Sequence, residues 1–404
     1  MLLTPGSGRA RHLTDDAAIL SAMLSVEAAW AMVLGDLGVL GVDQAHLVAD
    51  RCDPGEYDVS QLADSVESGG NPVIPLVARV RTAVAESDPA AAALVHKGLT
   101  SQDVVDTALM LIARDSTALL CDRLLSCADA VADLAGRERD TVMTARTLGQ
   151  PAVPTTFGAK AAGWLRALDA AIRGLSALRY PVQCGGAGGT LSLLETLAPG
   201  RAIDAPALLA HRLQLTEPVA PWHTDRSPVT AIGDAIARST DALGKVAGDI
   251  VQLSRPEIGE LSEPVAEGRG GSSTMPQKHN PVLSVLVRSA AMQAPALAAS
   301  LHTSAALASD ERPDGAWHAE WSPFLQLLTI GPIAGGQAAE VLEGLQVHRE
   351  AMQANVIAAL PGLVAERRSV DPGPVDVSDY LGAAPSFIDR SLAAHADVRK
   401  DLAS

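Results

Sequence analysis

Apolar residues recur at helical spacing over long stretches of this chain and alternate at strand spacing almost nowhere. From Asp103 to Leu134 the apolar positions keep to one face with no internal proline or glycine, and Thr100 or Ser101 stands where a helix cap belongs. A long helix is expected there. Residues 159–178 put Leu165, Leu168, Ile172 and Leu175 on one stripe before a glycine-rich break at 183–190. Between 232 and 253, Ile232, Ile236, Leu243, Val246, Ile250 and Leu253 fall on alternating steps of four and three, with Ser239 completing the series. This is a heptad seam, and it serves equally for a bundle within one chain or for helices of several subunits. A further helix is expected after Pro281, through residue 293, so the predicted class is all-α.

Polar residues gather where this pattern breaks, at 96–103, 146–158 and 266–281. If a helix bundle brings its ends together, the three breaks meet at one place. Hydrophobic residues make up 48% of the 404-residue chain but aromatic ones only 3%, so the core must be built from many aliphatic contacts. The net charge of −16 disfavours non-specific attraction to nucleic acid or to an anionic membrane, and an anionic substrate needs a local basic pocket. No uninterrupted apolar run approaches the roughly 20 residues that span a bilayer, and the first residues lack a secretion signal, so a cytoplasmic protein is expected. Cys52, Cys121, Cys127 and Cys184 show no ligand-like spacing and the histidines are scattered, so neither a disulfide framework nor a metal is implied.

The sharpest motif is GSSTMPQKHNP at 271–281. With VHKGLTSQDVVDTAL at 95–109 and RTLGQPAVPTTFGAKAAGWL at 146–165, it resembles the signature segments of the fumarase, aspartase and adenylosuccinate lyase superfamily. Four further segments, PVQCGGAGGTL, PWHTDR, GRGGSSTMPQKHNPVLS and YLGAAPSFIDRSLAAH, are similar to the 3-carboxy-cis,cis-muconate cycloisomerase branch. The resemblance implies three helical sub-domains, taken as 1–98, 99–340 with a catalytic loop at 266–281, and 341–404. It also implies a homotetramer joined through long helices, active sites shared between subunits, a small polycarboxylate substrate and no cofactor. One departure stands out: between Ser369 and Val377 relatives carry several tens more residues, so the third sub-domain is expected to be small.

Enzymes of this superfamily take a proton from the carbon beside a carboxylate and expel a group from the neighbouring carbon, or run the reaction backwards. The carboxylate gains a second negative charge as the proton leaves, so donors and a fixed cation must meet it. By resemblance Ser272 is the base, Ser273 beside it in the loop is a further candidate catalytic residue, and Gly270 and Gly271 let backbone N–H groups approach. Lys278 and Asn280 would hold the substrate carboxylate, the lysine as a point charge and the asparagine as a directional donor. Thr100, Ser101 and Gln150 match other carboxylate-binding positions; the first two are also candidate helix caps, and both roles are compatible. His96 falls where relatives keep a histidine near substrate and is a candidate catalytic residue, equally readable as a surface or structural histidine. Arg226 and Arg288 are candidates for pocket cations or solvated helix charges, whereas His223, in a Trp-His-Thr turn, reads as structural.

Leu148 narrows the chemistry. The fumarase and adenylosuccinate branches carry a histidine there, assigned in adenylosuccinate lyase as the acid that protonates a leaving nitrogen. An amine or hydroxide needs such a proton; a carboxylate, and equally nitrite, leaves without one. The expectation is therefore a cycloisomerase that opens and closes a lactone, with a lyase acting on a substituted succinate as the alternative. A non-catalytic homologue is disfavoured by the intact set of Ser272, Lys278 and Asn280.

Overall fold

The computed structural model describes residues 2–271, 275 and 278–403. The long elements, in chain order, are α1 (Asp16–Asp36), α2 (Val73–Ala85), α3 (Ser101–Arg137), β1 (Val142–Thr147), β2 (Gln150–Thr156), α4 (Phe157–Ser176), α5 (Ser227–Leu253), β3 (Leu261–Ser262), α6 (Val282–Ala306), α7 (Ala316–Glu343), β4 (Gln346–Val347), α8 (Arg349–Leu363) and α9 (Ala384–Ala403). Shorter helices and turns join them. Helices α3 to α7 pack side by side as the central bundle, α1 lies on α3, α8 covers the β1–β2 hairpin, and α9 packs on α4 and α3. The fold is all-α with two small antiparallel ribbons.

The bundle core is aliphatic, as the composition requires. Leu120, Leu124 and Val131 of α3, Leu168 and Ile172 of α4, and Leu327 and Leu328 of α7 are all removed from water. Every apolar member of the heptad seam on α5, from Ile232 to Leu253, is buried, and its neighbours are α4, α6 and α7 of the same chain. The seam therefore packs within the chain. Gly244 lets α5 and α6 approach closely, since a methyl group there would come within 2.5 Å of Ala291 Cβ.

Three features depart from the expectation. Helix α6 continues past Pro295 to Ala306, although proline removes a backbone donor and disfavours a helix interior by about 3 kcal/mol. Its packing on α5 and α7 outweighs that local preference. The 146–158 break is largely a β-hairpin, in which Thr147 pairs with Gln150 around a two-residue turn. Leu148 and Gly149 both have positive φ, 51° and 79°, as the tightest hairpin turns demand. Finally, residues 11–36 and α6 are long and apolar enough to match a bilayer by length and mean hydropathy, although polar residues interrupt both. In the fold the first is more than half buried against the protein, while α6 is only one-third buried.

Candidate active site

The segment 95–101 is held from several sides by buried groups. Trp30 of α1 donates from Nε1 to the Lys97 carbonyl (2.8 Å), and one turn earlier on the same face Glu27 meets His96 Nδ1 at 2.6 Å. His96 has φ 63° and Gly98 φ 90°, so the chain bends through two left-handed positions before α3 begins. A side chain at Gly98 would press on Trp30 and Leu194. Thr100 is the N-cap residue and Ser101 the first residue of α3, as the cap reading expected.

Below them Asp103 is the anchor. Its fully buried carboxylate accepts from the Thr100 N–H (2.9 Å), the Gly185 and Gly186 N–H groups (3.0 and 2.9 Å) and His223 Nε2 (2.8 Å). His223 is thus structural. One turn on, Asp106 takes both Nη atoms of Arg226 and the indole N–H of Trp317, and Arg226 also pairs with Glu320. Burial works against a charge on Arg226, but the Asp106 and Glu320 carboxylates outweigh it and hold the guanidinium protonated. This makes Arg226 a buried tie between α3, α5 and α7, not a pocket cation. His96 is also raised above its ordinary range, because the Glu27 carboxylate overcomes a desolvation that alone would lower it.

At the other end of the bundle the exposed groups stand on buried or half-buried supports. Arg146 of β1 makes a bidentate pair with Glu260 (2.9 and 2.6 Å), a fully buried carboxylate that also accepts from Asn355. Beyond this pair the hairpin tip carries Leu148, which is completely exposed (102%), and Gln150, also exposed. The base of the 266–281 loop is pinned as well. Arg269 pairs with Glu340, which also takes Arg9, and Asn280 donates from both its backbone N–H (2.9 Å) and Nδ2 (3.0 Å) to the Gly270 carbonyl. Gly270 (φ 74°) has no room for a side chain, since a Cβ would meet the Asn280 carbonyl oxygen at 2.7 Å. Glu263 accepts from the Leu283 and Ser284 N–H groups and so caps α6. Lys278 is exposed, and Arg288, half-buried on α6, has no ion-pair partner among the described residues. Ser272 and Ser273 lie outside the described residues.

A single chain does not gather these groups. The 37 residues of α3 span about 55 Å at 1.5 Å per residue, with His96, Thr100 and Ser101 at the start and the hairpin beyond the end. Even folded straight back, six strand residues recover only about 20 Å. The 266–281 loop shares the far end, because Trp317 at the start of α7 touches Asp106 whereas Glu340, near its end, holds Arg269. The expected meeting of all three breaks therefore fails within one chain, and rigid helix length is the reason.

The supporting carboxylates Glu27, Asp103, Glu260, Glu263 and Glu340 were not singled out by the sequence reading. For Glu27 there was a signal: it is the one charged residue within the apolar run from Ala17 to Gly35.

The family model described as "Lyase" matches residues 11–296. The chain belongs to the fumarate lyase superfamily. It is 43% identical over 362 residues to nitrosuccinate lyase of Streptomyces davaonensis, covering 87% of this chain and 76% of that one. It is 38% identical over 372 residues to 3-carboxy-cis,cis-muconate cycloisomerase of Bradyrhizobium diazoefficiens, covering 90% and 81%. The crystal structure of 3-carboxy-cis,cis-muconate lactonizing enzyme from Pseudomonas putida superposes with a TM-score of 0.87 at 30% identity, covering 96% of this chain and 97% of the other. The protein is an enzyme of this superfamily, and the all-α reading holds.

Proposed function

We propose that this enzyme interconverts 3-carboxy-cis,cis-muconate and its carboxymuconolactone, as a homotetramer whose active sites combine residues of different subunits. The observation that carries the choice of chemistry is Leu148. It occupies the tip of a hairpin whose turn strains a leucine into positive φ and leaves it wholly uncovered in the single chain. Strained positions of this kind cluster at functional sites. A leucine at that tip supplies no proton, so the leaving group must be a weak base, as the carboxylate of an opening lactone is. In the lactone-forming direction one substrate carboxylate adds across a double bond while Ser272 delivers a proton to the carbon beside another; in reverse Ser272 is the base. Thr100, Ser101, Gln150, Lys278, Asn280 and Arg288 are the proposed carboxylate-binding set.

The distances support assembly. His96 and Thr100 can share a site with Gln150 and Lys278 only if another copy brings its far end to them. Helix α6 offers the surface for this: Val285, Ser289, Met292, Ala296, Ala299 and Thr303 are exposed at steps of four and three on one face, small and largely apolar.

A second reading is favoured by the 43% identity to nitrosuccinate lyase, since nitrite also leaves without a proton. One experiment separates the two. Purified protein is offered 3-carboxy-cis,cis-muconate while the diene absorbance is followed, and nitrosuccinate while nitrite and fumarate are assayed, with Ser272→Ala as control. Loss of diene absorbance in the wild type alone supports the cycloisomerase; nitrite release with an inert diene replaces it by the lyase. Near-normal turnover in Ser272→Ala removes the serine from the mechanism. Light scattering that gives a mass near that of one 41.6 kDa chain removes the shared site.

A further inference from the structure

Glu27 is buried to 1% of its side chain, and His96 is its one ion-pair or hydrogen-bond partner among the described residues. A buried carboxylate left without a cation is strongly unfavourable, so the pair demands a positive partner. A carboxylate only accepts hydrogen bonds, hence the proton at the 2.6 Å contact sits on Nδ1. The ring is fixed further by its left-handed backbone and by the Trp30 bond to the next carbonyl, and it retains some exposure at 14%. We propose that Glu27 is a positioning residue that keeps His96 as an imidazolium, so that Nε2–H binds a carboxylate of the substrate instead of abstracting a proton.

The surrounding charges are consistent with this role. Asp103 of α3 adds to the pull of Glu27 of α1, Arg81 of α2 opposes it, and burial also acts against the charge; the balance is a raised affinity for the proton. The Cys52 thiol, close enough to feel Glu27, is pushed up by burial and stays neutral. An imidazolium at pH 7 has no lone pair with which to act as a base, but it offers a charged donor beside Thr100 and the N-terminus of α3. The ligand class is a di- or tricarboxylate. The inference rests on the reading of this end as a carboxylate site, not on which carboxylate is turned over.

The test is a titration of ¹³C-histidine-labelled protein, with His96 assigned from His96→Asn, in wild type and Glu27→Gln. His96 is expected to titrate above the ordinary imidazole value in the wild type and measurably lower in the variant. Propane-1,2,3-tricarboxylate is expected to raise the wild-type value further and to bind about tenfold more weakly to Glu27→Gln at pH 8. With the substrate that is turned over, the variant should show a raised KM at pH 8 with kcat nearly kept, and an alkaline limb of kcat/KM moved to lower pH. A wild-type His96 that titrates at or below 6.5, an unchanged value in Glu27→Gln, or a His96 that ignores the tricarboxylate overturns the proposal. The wild-type titration decides even if the variant fails to fold. A high-titrating His96 in an enzyme inert toward the muconate would retire the cycloisomerase reading and leave this one standing.

Discussion

The two ends of the bundle are built on opposite plans. At the start of α3 the polar groups are inside: Asp103 satisfies four donors, Asp106 and Glu320 enclose Arg226, and Glu27 holds His96. At the far end the buried Glu260 and the half-buried Glu263 are only footings, and the exposed groups Leu148, Gln150 and Lys278 face outward. The first end is complete as the chain folds, while the second is a set of probes that need a surface to meet. Damage to the buried carboxylate network at the first end should therefore register as lost stability, and damage to the exposed groups at the other as lost activity with stability kept.

The largest effect should come from Asp103→Ala, which strands His223 and three backbone N–H groups. Unfolding free energy is expected to fall by about 3–5 kcal/mol in urea titration, and a loss below about 1 kcal/mol would show that the network is dispensable. Gln150→Ala, at the exposed end, should leave stability within about 0.5 kcal/mol and lower kcat/KM at least about tenfold; unchanged kinetics would take the hairpin out of the site. Leu148→Gly relieves a positive φ that glycine adopts freely, so a gain of up to about 1 kcal/mol is expected together with slower turnover. A variant both more stable and fully active would break the link between strain and function.

The smallest effect concerns α9, where His395 sits between Asp169 of α4 and Asp129 of α3, with Arg399 near the latter. The hydrogen bond to Asp169 is the main cause of its raised proton affinity, with burial opposing and Asp129 adding. Its contribution is thus fully present below the unfolded value of about 6.5 and lost as pH rises through the folded one. Hydrogen exchange across 384–403, corrected for intrinsic rate, should quicken between pH 6 and 9 in the wild type and not in His395→Gln; equal behaviour of the two would remove the histidine as the cause.

Periodicity made the bundle legible because apolar stripes are local: the predicted stretches at 103–134 and 232–253 lie inside α3 and α5, and 159–178 overruns the end of α4 by two residues. The hairpin escaped because Pro151 and Pro154 interrupt β2 and the Leu148–Gly149 turn carries a residue that seldom adopts its conformation. Helix α6 was read too short because Pro295 is a local veto that neighbouring helices overrule. The loop motifs named the exposed groups, but their supports were hidden for a different reason. Glu27 and His96 are 69 residues apart and Arg146 and Glu260 are 114 apart, distances at which no spacing rule operates.

The length of α3 has a genetic consequence. In the proposed assembly each site draws its two halves from different chains, so a lesion at His96 and a lesion at Lys278 need not fall in the same site. A cell that carries one copy of each, neither active alone, would assemble mixed tetramers in which some sites receive two sound halves. Two silent alleles would then restore each other, and the dominance of any single mutation would depend on which end of a rod about 55 Å long it struck.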